Sequence, residues 1–184
     1  MNDVVDVMVL GGGPAALCIA SELNQRGVAV AGIAPDPVDN PWPNTYGIWA
    51  GELKAVGLEQ LLEHRWSDTV SYFGKGGSTA QDQSHAHGID YGLFDRAALQ
   101  RHWLERADGV VWHQDTVERV DVNGSTTNVC CASGTTLQAR LVIDASVHAR
   151  PTFAAPIRGR WRAKRPTAWW GVSPSRRLSR VGLC

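Results

Sequence analysis

The feature that most constrains this chain is its opening run. Val4-Val5-Asp6-Val7-Met8-Val9-Leu10 leads through Gly11-Gly12-Gly13-Pro14 into Ala15-Ala16-Leu17-Cys18-Ile19-Ala20. A short, β-branched, nearly continuous apolar run stopped by glycine reads as a buried strand. Proline suits the first turn of a helix, and Leu17, Ile19, Ala20 and Leu23 supply an apolar set through Arg26. Gly27 ends that helix, and Val28 to Ile33 is a second apolar strand. A strand, a helix and a strand in this order form a parallel βαβ unit, which commits the fold to the α/β class.

The glycines within that unit match the GxGxxA form of the dinucleotide fingerprint. Gly11 permits the tight turn out of the strand. Gly13 lets the backbone approach a pyrophosphate at the helix N-terminus, and Ala16 keeps helix and strand close. Gly11, Gly12, Gly13, Pro14, Ala15 and Ala16 are therefore the candidate cofactor-binding residues. The competing reading is a purely structural glycine turn. In such sites an acidic residue ending the second strand bonds the ribose hydroxyls. Here that strand end reads Ile33-Ala34-Pro35-Asp36, so Asp36 is the candidate, displaced and following a proline.

Beyond the second strand, residues 34–49 read as an ordered loop rich in proline and turn formers. The apolar spacing of Leu53, Val56, Leu58, Leu61 and Leu62 predicts a helix over 52–64. Residues 69–73 read as a strand and Lys75 to His87 as a polar, mobile loop. Asp95 is placed to cap a helix over 96–106. Strands follow over 110–114, 117–122, 128–132 and 137–143, with Asn123-Gly124 and Ser133-Gly134 as tight turns. The expected architecture is a Rossmann-like sheet carrying an antiparallel excursion.

At 184 residues and 43% hydrophobic content the chain can bury an ordinary core, which argues against wholesale disorder. No run of roughly 18 apolar residues is present to span a bilayer, and no basic n-region precedes the first strand. The four cysteines, at 18, 130, 131 and 184, lack metal spacing, which favours a reducing intracellular compartment. The net charge of zero hides an asymmetry. Through Ile157 there are ten Lys plus Arg against eighteen Asp plus Glu; from Arg158 onward there are eight basic residues and no acidic ones.

The stretch Pro41-Trp-Pro-Asn-Thr-Tyr-Gly-Ile-Trp49 resembles a signature of lycopene cyclases of the plant and cyanobacterial type. The resemblance continues through GELKAVGLEQLLEHRW, GIDYGLFDRAAL and ARLVIDAS, covering residues 4 to 157. It implies a flavoprotein fold of the aromatic-hydroxylase class that binds FAD without a covalent link, with NADPH as reductant. The implied reaction closes the ends of linear lycopene into ionone rings with no net redox change. Reduced flavin would stabilise the carbocation formed when a terminal double bond is protonated. The resemblance also implies that Asp144, in Asp144-Ala145-Ser146, closes a strand near the flavin. Where the family has glycine after that serine, this chain has Val147, whose branched side chain disfavours the positive φ that glycine can take. The proposed catalytic carboxylate lies in an acidic motif further along than the matched residues, so no catalytic residue is assigned here. A peripheral membrane location, on a thylakoid or plasma membrane, follows from the lipid-dissolved substrate. No nucleic-acid partner is expected.

The remaining chemistry-bearing residues have plainer readings. Trp42, Tyr46 and Trp49 could line a polyene cavity or pack the loop upon itself. His85 and His87 lack a third metal ligand and read as solvated. Arg96 and Arg101 share a helix and read as facing water, although they could reach a phosphate. Cys130 and Cys131 should point to opposite sides of a strand. Asp90 and Asp95 read as capping or solvated carboxylates. Residues 1–157 thus read as the flavin-binding portion, incomplete at its C-terminal end, and 158–184 as a separate basic, tryptophan-rich tail. Permitted codons for Arg160 to Ser173 also allow a shifted frame reading Val-Ala-Gly-Gln-Thr-Ala-Tyr-Gly, which resembles the family. The tail is therefore expected to be out of frame; the alternative is a genuine anion-binding appendage. A flavin-dependent monooxygenase or reductase remains the alternative enzyme, since a fold alone does not fix chemistry.

Overall fold

The computed structural model describes residues 4–72, 84–146 and 152–154. In chain order, β1 (Val5–Leu10) leads into α1 (Pro14–Asn24), followed by β2 (Val30–Ala34), β3 (Gly47–Trp49) and the short helix α2 (Leu53–Val56). Next come β4 (Leu62–Trp66), β5 (Val70–Tyr72), β6 (Ser84–Ala86), β7 (Tyr91–Phe94) and α3 (Arg96–Arg106). The chain then runs through β8 (Val111–Gln114), β9 (Val117–Asn123), β10 (Thr126–Cys131), β11 (Thr136–Asp144) and β12 (Thr152–Ala154).

The main sheet has the order β12-β9-β10-β11-β1-β2-β8. β11, β1, β2 and β8 are parallel, while β9, β10 and β11 form an antiparallel meander. This is the α/β, Rossmann-like sheet with an antiparallel excursion that the sequence leads one to expect. β1 alternates between two cores. Met8 and Leu10 join Ile33, Val120, Val129 and Ala139 on one side, whereas Val7 and Val9 pack with Ala16, Ala20 and Val30 on the other. A strand buried on both faces needs apolar residues at every buried position, which explains the unbroken apolar run Val7–Leu10; Asp6, at the partly exposed start of β1, pairs with Arg140 at 2.8 Å. β2 runs Val-Ala-Gly-Ile-Ala for the same reason and is buried throughout. Gly32 leaves room for the indole of Trp112, which stands opposite it on β8; a Cβ there would overlap the ring.

α1 and α3 lie together, and their C-terminal ends are tied. Asn24 donates to the Asp108 carbonyl at 2.9 Å, Gln25 donates to the Arg106 carbonyl at 2.9 Å, and Glu22 pairs with Arg106 at 2.7 Å. Asp95 caps α3 as expected, its Oδ1 accepting from the Ala98 amide at 3.0 Å. The two expected turns, at Asn123-Gly124 and Ser133-Gly134, connect the meander strands. Cys131 is buried and Cys130 half-buried, as strand alternation requires.

Three expectations are corrected. The helix over 52–64 stops at Val56, because Gly57 adopts a left-handed conformation at φ +69° and caps it. The chain then passes through a single 3-10 turn at Glu59–Leu61 and becomes β4. Strand pairing with β7 overrides the helical spacing there: Leu62 lies opposite Phe94 and Trp66 opposite Tyr91. The loop over 34–49 ends in a strand, β3, which pairs with the other edge of β7. The polar segment Lys75 to His87 closes with β6, antiparallel to β5, and His87 is not merely solvated: its Nε2 lies 2.6 Å from the Ser71 hydroxyl. The rest of that segment lies outside the described residues, as do Val147 and the basic tail. No helix among the described residues is long and apolar enough to cross a membrane.

Candidate dinucleotide site

The site begins where β1 ends. Gly11 stands at φ +113°, a conformation that residues with a Cβ rarely adopt. Its amide donates to the Ile33 carbonyl at 2.8 Å, and the Ala145 amide donates to the Leu10 carbonyl at 2.9 Å. The turn is thus held by β2 on one side and the end of β11 on the other. A Cβ on Gly11 would stand 2.8 Å from the Ala145 carbonyl oxygen. Glycine is needed here for both conformation and space.

Gly12 and Gly13 play different parts. A Cβ on Gly12 would approach the Ala34 Cβ at 3.3 Å, while one on Gly13 would meet no atom within 4 Å. The backbone is therefore approachable from outside at Gly13, which is the N-cap of α1. No side chain caps that helix end, and its first turn carries no acidic residue. The partial positive charge of the N-terminus is left for a ligand. Pro14 occupies the first turn without losing a needed donor. Ala15 faces outward, and Ala16 is fully buried among Val7, Val9 and Val30, the close helix–strand contact expected of it.

A cleft of about 570 Å³ opens beside this turn, and its walls include Gly12, Gly13, Asp36, Asn40, Trp42 and Tyr46. Asp36 is exposed on that wall, two residues past the end of β2. Asp144 has another partner: its Oδ1 accepts from the Ser146 amide at 2.9 Å and the Ser146 hydroxyl at 2.6 Å. This carboxylate shapes the bend after β11 that supports Gly11. A narrow slot lies against Gly11, Ile33, Asp115 and Val117. There the Ser133 hydroxyl bonds the Asp115 carboxylate and holds it below the usual carboxylate range. On α1, burial raises the Cys18 thiol above its ordinary value.

Of the aromatic residues, Trp42 and Tyr46 come together at the cleft, with ring centroids 5.5 Å apart. Trp49 instead joins Tyr91 and Trp66 on the three-stranded sheet. Arg96 is exposed, as expected, and also donates to the Pro43 carbonyl at 3.1 Å. Asp90 pairs with Arg65 at 2.6 Å. Among the described residues no cluster of three or more His, Cys, Asp or Glu could hold a metal. One site residue, Gln100, and one hydrogen bond of Trp42 escape the sequence reading. Gln100 is buried and donates to the Val38 and Asn40 carbonyls at 2.9 and 2.7 Å. Trp42 donates to the Gly12 carbonyl at 2.9 Å. Trp42 stands in the 41–49 motif, whereas nothing in the helical pattern marks Gln100.

Known structures share this fold. The halogenase PltM, solved in complex with phloroglucinol and FAD, superposes with a TM-score of 0.57 at 12% identity, over 80% of this chain and 35% of that one. Tetracycline destructase Tet(51) gives 0.53 at 17% identity, over 78% of this chain and 39% of that one. In sequence, the lycopene beta cyclase of Synechococcus elongatus is 46% identical over 145 residues, which is 78% of this chain and 34% of that protein. The chloroplastic lycopene beta cyclase of Arabidopsis thaliana is 34% identical over 81% of this chain and 29% of that protein. The chain thus spans about a third of the length of these relatives. The family described as "Lycopene cyclase protein" matches residues 6–165, and the chain belongs to that family.

Proposed function

We propose that this chain is the FAD-binding portion of a lycopene cyclase, acting in carotenoid biosynthesis. The observation that carries the reading is the glycine turn. Gly11 is wedged into a conformation and a space that only glycine fits, while Gly13 opens an uncapped helix N-terminus toward the cleft. The residues present fit a dinucleotide: Gly12 to Ala15 offer approachable backbone for a pyrophosphate, and Asp36 on the cleft wall is a group for the ribose hydroxyls. Bound and reduced by NADPH, the flavin would supply electron density toward a carbocation on the polyene. The contribution of this chain's own residues is to bind and orient that cofactor. The substrate is the apolar polyene lycopene, and its solubility in lipid places the complete enzyme at a membrane surface as a peripheral protein.

Titration of the purified chain with FAD, followed by flavin fluorescence, tests the first part. Saturable one-to-one binding supports it, and no binding by a folded chain refutes it. Expression of the complete gene in lycopene-accumulating bacteria tests the second. Ring-bearing carotenoids support cyclisation. Consumption of NADPH and oxygen without ring formation would favour a monooxygenase instead.

A further inference from the structure

The peptide between Gly12 and Gly13 is flanked by two residues without side chains, so no Cβ opposes its flipping. A trans peptide holds its C=O and N–H antiparallel, so fixing one fixes the other. The Trp42 indole N–H bonds the Gly12 carbonyl at 2.9 Å. A flip would break that bond and put a carbonyl oxygen where the Gly13 amide now stands. An anion at α1's N-terminus would then meet an acceptor rather than a donor.

Trp42 is itself held from several directions. It is only 6% exposed and packs with Leu17, Leu53, Phe94, Leu99 and Trp103. Tyr46 meets its ring edge-on at 81°. Pro41 and Pro43 restrict the backbone on both sides. α3 secures the same loop through Gln100, bonded to the Val38 and Asn40 carbonyls, and through Arg96, bonded to the Pro43 carbonyl. The indole is therefore presented in one place before any ligand arrives, the condition under which a hydrogen bond improves affinity rather than being offset by ordering.

We propose that Trp42 is a positioning residue for the pyrophosphate of the bound dinucleotide, acting through the Gly12–Gly13 peptide, with Gln100 holding the loop that carries it. This inference rests on the reading of the cleft as a dinucleotide site. The test uses the full chain and Trp42→Phe, which keeps an aromatic ring and removes the N–H. Affinities for FAD, ADP and adenosine are measured together with the melting temperature of the unliganded protein. FAD and ADP should bind about tenfold more weakly to the variant, as loss of one well-placed hydrogen bond implies, while adenosine binding stays as in wild type. Unchanged ADP affinity overturns the proposal. So does an equal loss for adenosine, which assigns Trp42 to general packing. If wild type binds neither FAD nor ADP, the dinucleotide reading itself fails and the proposal falls with it. If wild type binds ADP but Trp42→Phe does not fold, Gln100→Met decides. It keeps the indole itself but releases the loop that positions it, and should weaken ADP but not adenosine; no effect on ADP overturns the proposal.

Discussion

Alanine at Gly11 and alanine at Gly13 should have opposite consequences, although the two glycines are two residues apart. At Gly11 the backbone sits at φ +113°, and holding a residue with a Cβ there costs about 1–3 kcal/mol. The new methyl would also lie 2.8 Å from the Ala145 carbonyl oxygen and 3.0 Å from its carbonyl carbon. Those are backbone atoms pinned by the Ala145–Leu10 hydrogen bond, so relief requires β1 and β11 to separate locally. Overpacking of this kind adds about 1–3 kcal/mol. For a chain of this size about 1 kcal/mol moves the melting temperature by about 2–4 °C, so Gly11→Ala should melt about 5–15 °C lower. At Gly13 the backbone is at φ −83° and ψ −179°, ordinary extended geometry, and the methyl meets nothing. Stability should change by no more than about 0.5 kcal/mol. That methyl nevertheless fills the side from which a pyrophosphate would approach, so FAD affinity should fall by about tenfold or more. Thermal melts by circular dichroism and flavin fluorescence titration read the two effects separately. Wild-type FAD affinity in Gly13→Ala would refute the assignment of the cleft. A melting temperature of Gly11→Ala within about 2 °C of wild type would refute the strain argument.

Glu22 accepts hydrogen bonds from Arg26 and Arg106, in that order of influence, and its carboxyl is held below the ordinary glutamate value. A depressed folded value means that the stabilisation is present above the unfolded value of about 4.3 and is lost as pH falls through the folded one. The stability of wild type should therefore drop more steeply than that of Glu22→Gln between about pH 5 and 3, and parallel acid-denaturation curves would contradict this. Arg26 is largely solvent-exposed and the Glu22 and Arg106 side chains are each about a third exposed, so screening limits the difference to about 1 kcal/mol. The Cys131 thiol is pushed up to about 11, chiefly by burial. Peptide mapping after alkylation at pH 8 should find half-buried Cys130 modified in the native chain and Cys131 only after unfolding; early labelling of Cys131 would place it at the surface. We also propose that 158–184 is a separate, out-of-frame segment. Nucleotide sequencing across codons 155–184 should then show that a one-base correction opens Val-Ala-Gly-Gln, and an intact frame with no such continuation counts against it.

Some of the fold is determined by signals only a few residues long. The glycine turn needs its positive φ and a small residue at Ala16, the α3 cap needs only Asp95 and the Ala98 amide, and the two meander turns need only their dipeptides. Each is a local conformational preference, so each can be read from residues 4–34, 95–106 and 117–144 without knowledge of their neighbours. The family resemblance extends this to the whole segment, because the 41–49 motif is specific even though its structural role is not evident in it. What tertiary structure decided lies at greater sequence distance. β4 formed where helical spacing was legible, because β7, some 30 residues on, offered it a paired edge that a single helical turn ending at Gly57 could not match. The indole of Trp42 reached Gly12 across 30 residues, and the amide of buried Gln100 reached Val38 across 62. Sequence alone determined that the chain turns at Gly11 and can present a helix end to an anion. Only packing between distant segments decided which side chain steadies that turn, because hydrogen bonds and strand pairs of this range form only after the core has brought their ends together.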